Sequence, residues 1–136
     1  MSPNLQETIK IAEISNCPVV ISGGVSSIND IKKAKEFKDL GIDEIFCVLV
    51  NDVYVAKVWG ESTGATKAGI KIITDPLSIL AETLDFEFTV KGTGLLRRLQ
   101  RFTALIKDKK IERLYFEKER GVCDMTSAQT VLKDIA

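Results

Sequence analysis

Three cysteines and no histidine define the chemistry open to this chain. Histidine is the usual general base near neutral pH and the commonest metal ligand, so its absence excludes Ser-His-Asp, Cys-His and histidine-metal sites. Cys17, Cys47 and Cys123 lie far apart with no C-x-x-C pair, so they spell neither a zinc site nor a disulfide framework. Cys47 sits mid-run among apolar neighbours, where a thiol behaves as a small hydrophobe. Cys17 directly precedes Pro18. Cys123 falls on a loop ahead of the last helix and is the best exposed of the three on this reading, hence the first candidate for thiol chemistry, with Cys47 second. The other chemical feature is the run Ser22-Gly23-Gly24-Val25-Ser26-Ser27 between a strand and a helix. Glycines without Cβ let backbone N–H groups converge on an anion, and Ser26 and Ser27 add hydroxyls at the positive end of a helix. The same run also serves as a plain tight turn with Ser27 as an N-cap.

The elements that must carry these residues follow from periodicity. Ser2-Pro3 opens a helix with Leu5, Ile9 and Ala12 on one face, ended by Asn16 and Pro18. Val19-Val20-Ile21 is a short β-branched strand. A second helix starts near Ser27, with Ile28, Ile31, Ala34 and Phe37 inward and Gly41 as its stop. Ile45 to Val50 is apolar on both faces, as in a central strand covered by helices. Asn51-Asp52 caps a helix to about Gly60, Ile70 to Thr74 is a strand, and Asp75-Pro76 starts a helix through Leu84. The pattern around Gly92 and Gly94 reads as loop. Phe102–Ile106 and Ile111–Phe116 flank Lys107–Lys110 as a β-hairpin. Thr126 to Gln129 has capping-box spacing for a last helix with Val131, Leu132 and Ile135 inward. Alternating strands and helices closed by a hairpin predict a single domain over 1–136, an α/β fold built as a three-layer α/β/α sandwich.

Composition bounds the partners. The 136 residues carry 19 basic and 19 acidic side chains, for a net charge of zero, which argues against a general nucleic-acid grip. No apolar run approaches about 18 residues and the first residues are polar, so no membrane span or leader is expected. A reducing cytoplasm is the expected setting. No cofactor or metal is implied.

Two stretches resemble different families. Residues 1–30, through Cys17-Pro18-Val19-Val20-Ile21-Ser22-Gly23-Gly24-Val25-Ser26-Ser27, resemble the late βα unit of the TIM-barrel isomerase of histidine biosynthesis, phosphoribosylformimino-imidazole carboxamide ribotide isomerase, including its phosphate loop. Residues 31–136 resemble the type II (five-like) peroxiredoxins. The carriers are Lys32 to Phe37, Val48-Leu49-Val50-Asn51-Asp52, Trp59-Gly60-Glu61, Thr74-Asp75-Pro76, Arg97 to Phe102 and Thr126-Ser127-Ala128. These likenesses imply a thioredoxin-like fold bearing a grafted barrel βα unit, the mark of an engineered chimera.

The resemblance also frames the chemistry. Peroxiredoxins place their reactive cysteine after the strand that Val19–Ile21 would replace, and Ser22–Ser27 holds none. Arg101 matches the family's active-site arginine. Cys123 lies about two residues from where some members keep a second cysteine. The isomerase's two catalytic aspartates belong to strands this chain lacks. The expectation is therefore a domain with no catalytic activity and no catalytic residues. It would retain weak phosphate or sulfate binding at Ser22, Gly23, Gly24, Val25, Ser26 and Ser27 with Arg101, as a monomer or homodimer. The alternative is a thiol peroxidase using Cys123 or Cys47.

Overall fold

A computed structural model describes residues 19–23, as backbone, and 33–136. The expected first helix, the start of the second, Cys17 and Gly24 to Ser27 lie outside the described residues. The elements run β1 (Val19–Gly23), α1 (Ala34–Asp39), β2 (Glu44–Leu49), α2 (Val53–Thr63), β3 (Lys71–Thr74), α3 (Ile79–Thr83), β4 (Glu87–Val90), β5 (Leu95–Leu99), β6 (Phe102–Lys107), β7 (Lys110–Phe116) and α4 (Ala128–Ile135).

Five strands form one sheet in the order β3-β2-β1-β6-β7. β1 pairs parallel with β2 and antiparallel with β6, and the ladder closes with antiparallel β6–β7. β2 is buried at Ile45, Phe46, Cys47 and Val48 in succession, as its unbroken apolar run requires. Period-two alternation then splits those side chains between two cores. Ile45 and Cys47 join Leu105, Phe37 of α1 and Val131 and Leu132 of α4, with Trp59 and Ile135 packed alongside. Phe46 and Val48 join Phe102, Ala104 and Leu80 of α3, with Phe86, Leu99 and Phe116 against them. Helices on one side and a helix with a hairpin on the other make the three layers.

Local chemistry sets the element ends. Asp52 caps α2 by accepting from Tyr54 N and Val55 N at 2.9 Å each. The hairpin β6–β7 turns through Asp108 and Lys109, both in the left-handed region. Three expectations shift. The helix expected to begin at Asp75-Pro76 begins only at Ile79, because Ser78 takes φ 54° while the Asp75 carboxylate reaches over it to Ile79 N and Ala81 N. The region around Gly92 and Gly94 is a second hairpin, β4–β5, with those glycines at φ 78° and 74° forming its turn. At α4 the N-cap is Ser127, not Thr126, and its Oγ accepts from Thr130 N at 3.2 Å. Among the described residues, no helix is long and apolar enough to cross a membrane.

Candidate thiol site at Cys123 and Arg101

Arg101 immediately precedes β6, and the pairing of Ser22 with Thr103 puts it at the sheet end where β1 finishes. Glu117 immediately follows β7, and Phe102 pairs with Phe116, so the hairpin brings Arg101 and Glu117 to the same sheet end. The chain then loops through Cys123 to the cap of α4. That loop is tied down at several points. Thr103 Oγ1 donates to the Thr126 carbonyl at 3.0 Å in a buried contact. Thr130 Oγ1 donates to the Asp124 carbonyl at 2.8 Å. The Glu117 carboxylate accepts from Asp124 N and Thr126 N at 2.8 Å and from Met125 N at 3.3 Å.

Two side chains on this loop meet Arg101. Its Nε donates to Thr126 Oγ1 at 2.9 Å, and its Nη2 donates to Cys123 Sγ at 2.9 Å. Thr126 Oγ1 in turn donates to Glu117 Oε1 at 2.6 Å. Burial pushes the Glu117 carboxyl up, but the hydrogen bonds from Thr126, Asp124 and Met125 outweigh it and hold the group below its ordinary value of 4.5. Cys123 and Arg101 open on a cavity of about 460 Å³ whose apolar lining includes Phe88, Leu99 and Val122. The Arg120 guanidinium lies 5.7 Å from the centre of the Phe88 ring.

The two candidate thiols are therefore in opposite surroundings. Cys47 is wholly buried, at 0% exposure, within the β2 core. Cys123 is exposed and in contact with a guanidinium. A guanidinium is a donor of fixed charge, and the thiolate is the nucleophilic form of cysteine, so this pairing is one that thiol chemistry uses. Of the residues expected to hold an anion, Ser22 and Gly23 are backbone of β1, and Gly24, Val25, Ser26 and Ser27 lie outside the described residues. Arg101 is directed at Cys123 and Thr126. Sequence reasoning did not place Glu117 or Thr126 at the site. Glu117 opens the charged run Glu117-Lys118-Glu119-Arg120, which reads as solvated surface, and only the β6–β7 register brings it to Thr126.

The redoxin family profile matches residues 14–132. The chain belongs to the redoxin family. Peroxiredoxin-2B of Arabidopsis thaliana is 36% identical over 103 residues, 76% of this chain and 62% of that protein. The redoxin thus spans about three fifths of that peroxiredoxin's length. Its fold is thioredoxin-like: the structure of reduced Prx3 from Vibrio vulnificus superposes with a TM-score of 0.82 at 26% identity, covering 92% of this chain and 85% of that one. A short N-terminal segment matches a different protein. The phosphoribosyl-imidazole-4-carboxamide isomerase of Pelagibacter ubique is 67% identical over 39 residues, 29% of this chain and 16% of that enzyme. Membership of the redoxin family overturns the expectation of a domain with no catalytic activity. That expectation rested on a loop lacking a cysteine and on the absence of the isomerase's two aspartates. The family match extends over most of the chain, and an exposed thiol stands beside the arginine that precedes β6.

Proposed function

We propose that this redoxin is a thiol-dependent peroxidase of the peroxiredoxin kind, with Cys123 as its reactive sulfur and Arg101 as the partner of that sulfur. The observation that carries the reading is the 2.9 Å contact from Arg101 Nη2 to Cys123 Sγ in the lining of a cavity. The relatives named peroxiredoxins support it. In the reaction the Cys123 thiolate attacks one oxygen of a hydroperoxide. The S–O bond forms as the O–O bond breaks, the sulfur is oxidised to a sulfenic acid, and the departing alkoxide or hydroxide takes a proton. Arg101 donates to the sulfur beforehand and is placed to donate to the departing oxyanion. Two thiols of a low-molecular-weight or protein reductant then return the sulfur to the thiol, releasing water and one disulfide.

The test is peroxide consumption with dithiothreitol as reductant. Cys123→Ser should abolish turnover, Cys47→Ser should leave it intact, and Arg101→Gln should slow it by about tenfold or more, as loss of a charge-assisted donor predicts. Full activity in Cys123→Ser would remove the reading.

A chimeric origin accounts for the two likenesses. The isomerase match covers only 16% of that enzyme, too little to include a barrel, while the redoxin match over residues 14–132 spans every strand of the sheet. Engineering fits this better than a natural fusion, which tends to retain at least one whole parent. The proposed unit is one domain, 1–136, working in a reducing compartment such as the cytoplasm, where an exposed thiol stays reduced.

A further inference from the structure

Thr126 Oγ1 carries one hydrogen and sits between two groups of opposite capacity. A carboxylate only accepts and a guanidinium only donates, so the hydroxyl must give its proton to Glu117 and accept from Arg101. The direction of the chain Arg101 to Thr126 to Glu117 is therefore settled by chemistry. The guanidinium is planar, so fixing Nε on Thr126 also aims Nη2, which lies on Cys123 Sγ. The same carboxylate accepts from the backbone of Asp124, Met125 and Thr126, the residues directly after Cys123. One side chain thus references both the arginine and the loop that carries the sulfur.

We propose that Glu117 is a positioning residue for Cys123, acting through the Thr126 hydroxyl on Arg101. This rests on the reading of Cys123 as the reactive thiol. Arg101 faces this carboxylate across the Thr126 hydroxyl, Cys123 belongs to the same network, and Lys118, Glu119 and Arg120 line the adjoining cavity. None of those three has a hydrogen bond to Glu117 among the contacts described.

The first measurement needs no variant. In labelled protein the Arg101 Nε–H resonance is followed as the Glu117 side-chain carboxyl carbon titrates. The two should move with one midpoint, and an Arg101 signal indifferent to that titration would overturn the proposal. The second uses the Cys17→Ser, Cys47→Ser background, in which iodoacetamide reports on Cys123 alone. Glu117→Gln and Thr126→Val should slow alkylation about tenfold, the scale of a lost charge-assisted bond, while Thr126→Ser, which keeps the hydroxyl, should restore it. Circular dichroism checks that each variant is folded. Folded Thr126→Val with an unchanged alkylation rate and an unmoved Arg101 resonance refutes the positioning role. Peroxide turnover separates the two readings. If Cys123 alkylation responds to Glu117 but Cys123→Ser still consumes peroxide, the peroxidase reading fails and the coupling stands. If Cys123→Ser is inactive but Thr126→Val matches wild type in both assays, only the coupling fails.

Discussion

Asp75 is a carboxylate at 1% exposure, and it survives there because it makes the bonds that a helix start lacks. Its oxygens accept from Ile79 N at 2.9 Å and Ala81 N at 3.1 Å, and its own N–H donates to Leu49 O at 2.7 Å, tying β3 to β2 beyond their ladder. Asp75→Ala leaves one buried and one half-buried donor without an acceptor, so it should cost about 2–3 kcal/mol in denaturant unfolding, more than an exposed cap. Glu117 obeys related logic with a pH signature. Its carboxyl is held below 4.5 in the folded protein, so its charged form stabilises the fold fully above that value. The stabilisation is lost as pH falls through the lowered folded value. Acid titration of unfolding should therefore show a component, below about pH 4.5, that Glu117→Gln removes. An unchanged acid limb in that variant would show that the loop is held by its other bonds. Neither role is visible in composition, because both depend on what the backbone brings within hydrogen-bonding reach.

At the scale of elements, legibility tracked how local each cause is. The Asp52 cap, the buried run of β2 and the β6–β7 hairpin come from neighbours in sequence, and they appear where periodicity and turn chemistry put them. The β4–β5 hairpin is not legible in the sequence, where Gly92 and Gly94 read as loop punctuation rather than as the positive-φ turn between Glu87–Val90 and Leu95–Leu99. The delayed start of α3 has a non-local cause. Ser78 adopts φ 54° while its hydroxyl donates to the carbonyl of Arg97, itself at φ 50°, so a helix start is set by a hairpin nineteen residues on. The thiol site was legible in its cysteine and its arginine, and hidden in the glutamate and threonine that orient them. Gly60 shows the same limit on α2. A Cβ there would lie 2.7 Å from Thr66 Oγ1 and 3.1 Å from Ile72 Cγ1, so α2 depends on a bare backbone to approach β3. Gly60→Ala should destabilise by roughly 1–3 kcal/mol through overpacking, despite the helix propensity it gains. A neutral or stabilising effect in thermal unfolding would show that Thr66 and Ile72 move aside.

Across the whole molecule, the stretch that resembles a barrel unit supplies the middle of the sheet. β1 has β2 on one side and β6 on the other, so among the described residues the two halves of the ladder meet only through Val19–Gly23. Losing β1 would break the hydrogen-bonded ladder between β2–β3 and β6–β7, so that segment should not unfold by itself. This predicts a single transition. Far-UV circular dichroism, which reports all strands and helices, should coincide with fluorescence of Trp59, which packs against the core that β2, α1 and α4 share. Ile21→Pro is the sharper probe. Ile21 pairs with Phe46 on one side and Ala104 on the other, and proline can neither donate to a ladder nor be moved to an edge here. It should abolish cooperative unfolding altogether. A variant that still melts in one sharp transition would mean that the sheet closes without its central strand, and that β2 and β6 find each other by another register.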